Sequence, residues 1–311
     1  MDRRDFLKTL AITGAAMAVQ HSEAMDFLSQ SVTGMNGEKI DLVAVMGSEP
    51  ELMFRRAIEE LGGMKRFVKP GQKVVIKPNI GWDKVPELAG NTNPKLVTEI
   101  IRQCFKAGAK EVTVFDHTCD DWQKCYKNSG IENAAKMAGA KIMPAHLESY
   151  YRPVSLPHGK VMKSAKIHEA ILDSDVWINV PILKNHGGAN MSIAMKNHMG
   201  IVWDRGYFHQ HDLQQCIADI CTLSPKATLN VVDAYRMMKT NGPRGRSVSD
   251  VVLTKTLFLS QDIVAVDTAA TKFFNQVRDM PLDSVEYLAN GQELKLGTMN
   301  LDKLNIKRIK L

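Results

Sequence analysis

Twenty-three residues from Val180 to Val202, VPILKNHGGANMSIAMKNHMGIV, gather two lysines, two histidines and three asparagines in a setting otherwise mostly apolar or glycine. The triplet Lys-Asn-His occurs twice, as Lys184-Asn185-His186 and Lys196-Asn197-His198, and each copy is followed two residues later by a glycine, Gly188 or Gly200. Lysines supply fixed positive charge for a carboxylate or phosphate, or an amine for covalent attachment. Histidines supply proton transfer or metal ligation. Glycines let backbone N–H groups approach a ligand. An anionic small ligand is the simplest fit. The competing reading is a solvated loop rim, since a spacing of twelve matches no single helix face.

The element that positions this segment is the run from Val176 to Leu183, VWINVPIL, bounded by Asp175 and Lys184. Mostly apolar and β-branched, it predicts a strand covered on both faces. In open α/β sheets ligands bind beyond the carboxyl ends of the strands, where Lys184 begins a polar segment. Two other strand ends repeat the pattern. Val74 to Lys77 (VVIK) delivers Lys77-Pro78-Asn79, and Val112 to Phe115 delivers Asp116-His117-Thr118-Cys119.

Strands alternate with helices along the chain: a strand at 40–46, a helix at 50–61, and a helix from Pro94 to Lys106 with Asn93 as N-cap and Gly108 beyond its end. A helix follows at 130–138 and a short strand at 141–143. Residues 150–163 read as an irregular excursion or small hairpin, a second lobe over the site. Further on come a helix from His209 to Cys221, strands at 228–232 and 257–260, and a helix at 263–275. The class is α/β, with a largely parallel or mixed sheet and helices on both faces.

The chain has 311 residues, 44% of them hydrophobic, and Lys plus Arg exceed Asp plus Glu by 40 to 34, a formal charge of +6. This is ordinary globular composition. No basic stripe with interleaved aromatics appears, which argues against nucleic acid as a partner. Residues 1–24 resemble a twin-arginine signal peptide, with Arg3-Arg4 ahead of Phe6-Leu7-Lys8 and the apolar run 9–19. Cleavage options follow Ala18 and Ala24, the second favoured. The apolar run is too short to span a bilayer, so no permanent membrane anchor is expected. The expectation is a periplasmic or secreted α/β domain at 36–311, carried out folded by the twin-arginine translocase and therefore a plausible cofactor protein.

Taken together, IKPN at 76–79, TNP at 92–94, Asp116 to Cys119, Cys125-Tyr126, LKNH with AMKNHMG across 183–200, Asp219, Asp233, Gly242-Pro243 and Asp267 resemble the family catalogued as domain of unknown function 362. The resemblance spans most of the mature chain and implies no single reaction. Some members carry added ferredoxin-like cysteine motifs, of a kind not visible here. At fold level there is also a distant similarity to the N-terminal part of the lactate racemases.

Three functions follow. The first, slightly ahead, is a metal- or cofactor-dependent redox enzyme in which Cys119, Cys125, Cys216 and Cys221 hold an iron-sulfur cluster or another transition metal. Disulfides or buried free thiols compete with it, and Cys104 reads as core. The second is a metal-free enzyme on a small carboxylate or phosphate. Here Lys184, His186, Lys196 and His198 are the catalytic group, and Lys77, Asn79, Asn197, Gly200 and Asp116 bind the ligand or cofactor. The third is a periplasmic binding or carrier protein without turnover.

Overall fold

Leu42 and Ala44 enter one hydrophobic cluster and their neighbours Val43 and Val45 enter another, as the two-residue period of a strand dictates. They belong to β1 (Leu42–Met46) in the computed structural model, which describes residues 39–311. The strands that follow are β2 (Lys73–Pro78), β3 (Glu111–Val114), β4 (Lys141–Ile142), β5 (Tyr151–Ser155), β6 (Ser164–His168), β7 (Val176–Val180), β8 (Ile182–His186), β9 (Asn190–Ser192), β10 (Leu229–Met238), β11 (Val251–Ser260) and β12 (Ile306–Lys310). Ten of them form one mixed sheet in the order β12-β1-β11-β10-β7-β2-β3-β4, with β8 attached to β10 and β9 to β8. The half from β10 through β7, β2 and β3 to β4 is parallel. β11 runs antiparallel between β10 and β1.

Helices cover both faces. Pro50–Glu60, Pro94–Ala107 and Ile131–Met137 place Phe54, Ile100 and Ile131 in one cluster. Leu213–Ile220, Ile263–Asn275 and Glu286–Glu293 place Ile217, Phe273 and Leu288 in the other. The signals at 93–108 act as expected: the Asn93 side chain accepts from Lys95 N, Pro94 opens the helix, and Gly108 closes it at φ 104°.

Three local expectations are corrected. The run 176–183 is two strands rather than one, because Pro181 has no N–H for the ladder; β7 pairs with β2 and β10, and β8 pairs with β10 and β9. The helix expected at 209–221 is two, Gly206–Gln210 and Leu213–Ile220, the second restarted by Asp212, whose carboxylate accepts from Gln215 N. β10 continues past Asp233 to Met238, and β9, β12 and the helix Glu286–Glu293 were without a signal in the pattern. Of the two readings of 150–163 the small hairpin is the one found: β5 pairs antiparallel with β6 as a separate two-stranded sheet, with residues 156–163 between them. The twin-arginine segment and both cleavage options lie outside the described residues. Among the described residues no helix is long and apolar enough to cross a membrane.

Candidate functional site

The carboxyl ends of β2, β3 and β8 converge on a cavity of about 460 Å³. Lys77 leaves β2 almost wholly buried, with Nζ 2.8 Å from Asp116 Oδ1 at the end of β3 and donating to Asn197 Oδ1 at 2.8 Å. The other oxygen of Asp116 accepts from Ile80 N. Asn197 Oδ1 also accepts from Asn79 Nδ2, and Asn79 Oδ1 in turn accepts from Lys184 Nζ at 3.3 Å. Lys184 Nζ donates further to Gly90 O at 2.6 Å. A continuous polar chain thus joins Lys184, Asn79, Asn197, Lys77 and Asp116 across the strand ends.

Asn197 is fully used by this chain, because its amide nitrogen donates to Asn179 Oδ1 and to Lys77 O. It holds the site rather than a ligand. Gly200 likewise serves packing rather than ligand approach. A Cβ there would lie 2.0 Å from Asp116 Oδ1 and 2.5 Å from Lys77 Nζ, inside the ion pair.

The second Lys-Asn-His copy sits on the one-turn helix Ala194–Asn197. Its start is fixed from outside, by Asp267 of the helix Ile263–Asn275, whose carboxylate accepts from Ala194 N at 2.8 Å and Met195 N at 2.9 Å. This sets Lys196 on the cavity wall, where Nζ meets the Met199 sulfur at 2.7 Å. A thioether is a weak acceptor. Arg205, on the loop after the second copy, also lines the cavity and donates to His117 O, Thr118 O and the Cys119 sulfur. Among the described residues, Lys184, Lys196 and Arg205 form no ion pair with a carboxylate. Asp116 is the one acid lining this cavity among the described residues, and Lys77 already neutralises it. The cavity therefore has a surplus of positive charge.

Burial disfavours that charge. It pushes Lys184 down to about 7 and Lys196 down to about 8, with Lys77 adding repulsion to both. It lowers Lys77 too, against the pull of Asp116. His186 is pushed to about 3 by burial and then by Lys196 and Lys184. Its Nδ1 accepts from Gly188 N and Ala189 N, so the neutral ring carries its proton on Nε2. It enters the site as a hydrogen-bond donor, not a base.

His198, expected beside it, is turned away. Its Nδ1 donates to Ala194 O, its ring packs edge-on against Trp177, and it is absent from the cavity wall. Burial holds it neutral, at about 4.

The four cysteines do not assemble. Cys125 is buried on one side of the sheet, while Cys216 and Cys221 are buried on the other. Burial raises all three thiols, Cys125 to about 12 and Cys216 to about 11. Only Cys119 reaches the cavity. All five cysteines are free, Cys104 is core as expected, and among the described residues no group of three or more His, Cys, Asp or Glu could hold a metal ion. A four-cysteine cluster site does not fit this chain.

Arg205 had no signal in the sequence beyond its place just past the second motif, and His117, delivered at a strand end with Asp116, was given no role in the ligand site. His117 lines the cavity with Nδ1 donating to Val202 O.

Fold and site together define an α/β protein with a cationic pocket at strand carboxyl ends. The chain belongs to the family described as Domain of unknown function (DUF362), which matches residues 74–272, a span that contains every pocket residue named above. It is 27% identical over 225 residues to the thylakoid-associated protein sll1697 of Synechocystis sp., covering 70% of this chain and 67% of that protein. The lactate racemase apoprotein from Thermoanaerobacterium thermosaccharolyticum is similar at 14% identity and a TM-score of 0.46 over 79% of this chain, which spans 59% of that enzyme.

Proposed function

We propose that the protein is an enzyme acting on a small anionic substrate, bearing a carboxylate or phosphate, that Lys184, Lys196 and Arg205 hold in the strand-end cavity. The observation behind it is the convergence of three cationic side chains, none paired with a carboxylate among the described residues, on one cavity. Turnover, rather than storage, is favoured by the two amines pushed toward neutrality. A carrier gains nothing from weakening the charges that hold its anion, whereas a base or nucleophile near neutral pH is what proton transfer or covalent catalysis requires. Lys196 is the candidate for that role, because among the described residues the Met199 sulfur is its amine's sole hydrogen-bond partner. His186 Nε2–H would donate to the substrate. An anionic cofactor would be gripped by the same three cations. Export by the twin-arginine translocase is a separate proposal that residues 1–24 support alone.

The test pairs carboxylate- and phosphate-bearing metabolites with uncharged isosteres in a thermal-shift survey, on the natural protein and on Lys196→Ala, and follows each binder by NMR for turnover. Equal shifts by charged and uncharged members would overturn the anion reading. Binding without turnover would leave a carrier.

A further inference from the structure

A second cavity, about 750 Å³, adjoins the first. Three residues, His117, Arg205 and Gly206, line both. The first cavity holds Lys77, Lys184 and Lys196, whereas the second holds the rings of Trp203 and Tyr207. Beyond Arg205 the walls carry Trp203, Tyr207, Met162 and Pro153, together with Asp204, Ser164 and the Lys166–Glu148 ion pair. The indole of Trp203 lies parallel to the His117 ring, at 5.2 Å and 1° between planes, and tilted to Tyr151 at 5.4 Å. The Tyr207 hydroxyl is held by Val161 O. The β5–β6 hairpin closes this cavity against the loop that carries Arg205, through the Ile167–Val202 bridge and the bond from Trp203 N to Lys166 O.

We infer that the substrate is bipartite: an anionic head group in the cationic cavity, joined past His117 and Arg205 to a planar aromatic or heteroaromatic group seated against Trp203 and Tyr207. This rests on the anion reading above and names the substrate class. Arg205 lines both compartments, and its guanidinium is anchored by two carbonyls, leaving it little freedom to swing away. Ring surfaces are the natural neighbours of a planar group, because offset and edge-on contacts add to the burial of apolar area. The two volumes each fall in the range of ligand pockets, and a bare anion would occupy only the smaller.

The experiment titrates inorganic phosphate, phenylalkyl phosphates of increasing chain length, acetate and the matching phenylalkanoates into the protein by calorimetry. Three variants accompany it. Ser164→Trp fills the second cavity from the exposed face of β6, Trp203→Ala removes its ring wall, and Lys196→Ala disables the first. At the best chain length the phenyl group tightens binding at least about tenfold over the bare anion. Both second-cavity variants erase that gain and leave phosphate or acetate binding intact, with Ser164→Trp as the arm that does not depend on the packing of Trp203. A phenyl group that adds nothing, or a gain that survives both variants, overturns the bipartite substrate while the anion site stands. Bare anions that do not bind, or that bind Lys196→Ala equally well, bring down the anion reading and this inference with it.

Discussion

Lys77 Nζ and Asp116 Oδ1 meet at 2.8 Å with both residues almost fully buried, and Gly200 lies against the contact with no room for a side chain. An ion pair in such a place contributes little net stability, but breaking one half strands the other. Asp116→Asn is expected to cost about 3–5 kcal/mol in denaturant unfolding. Lys77→Met added to it should recover part of that loss. A double variant no more stable than Asp116→Asn would mean that Lys77 is held by its asparagine contacts rather than its charge.

Gly200→Ala drives a methyl into the same pair. Overpacking of this kind costs about 1–3 kcal/mol, and the displaced Lys77 should disturb Asn197 and so Lys196. The expected result is a lowered melting temperature together with weakened anion binding. Full anion affinity in a destabilised variant would separate the two.

Lys196→Ala removes a cation without stranding a strong protein acceptor, because among the described residues Nζ donates only to a sulfur. A charge-assisted contact is worth about 1.5–3 kcal/mol, so phosphate affinity should fall by roughly tenfold to a hundredfold. Stability should scarcely change. Lys184→Ala is expected to lose anion affinity and also stability, since Gly90 O and Asn79 lose their donor.

The lysines give opposite pH trends for binding and for folding. Anion affinity should fall as pH rises through about 7 and about 8, where Lys184 and Lys196 lose their protons. Their folded values lie below the ordinary lysine value of 10.5, so above pH 8 the unfolded chain binds more protons than the native state and their contribution to stability increases with pH until about 10.5. Asp267, raised to about 8 by burial, acts the other way but only below that pH. Calorimetric anion titrations and ligand-free melting between pH 8 and 10 check both signs. A stability that falls over that window would contradict the burial of the two amines.

Asp267→Ala should uncouple the helix Ala194–Asn197 from its anchor. Two buried N–H groups would be orphaned at about 1–3 kcal/mol each, and anion binding should weaken although Asp267 is absent from the cavity wall. Unchanged binding in a folded variant would show that Lys196 is positioned by other contacts.

The strand ends were legible in the sequence because a buried strand declares itself as an apolar run, and charge placed where the run stops must point past the sheet. Lys77, Asp116 and Lys184 follow from that alone, as do the N-cap at Asn93 and the alternation that makes the fold α/β. What the sequence could not decide is which side of a layer a residue falls on. Cys125 and the pair Cys216 and Cys221 look like partners on paper, yet the sheet stands between them. His186 and His198 occupy equal places in the repeated triplet, but one lines the cavity and the other packs on Trp177, since the first copy is on a strand and the second at the end of a helical turn. Arg205 joins the site only because the chain folds back over the end of β3, a long-range approach that no local pattern records.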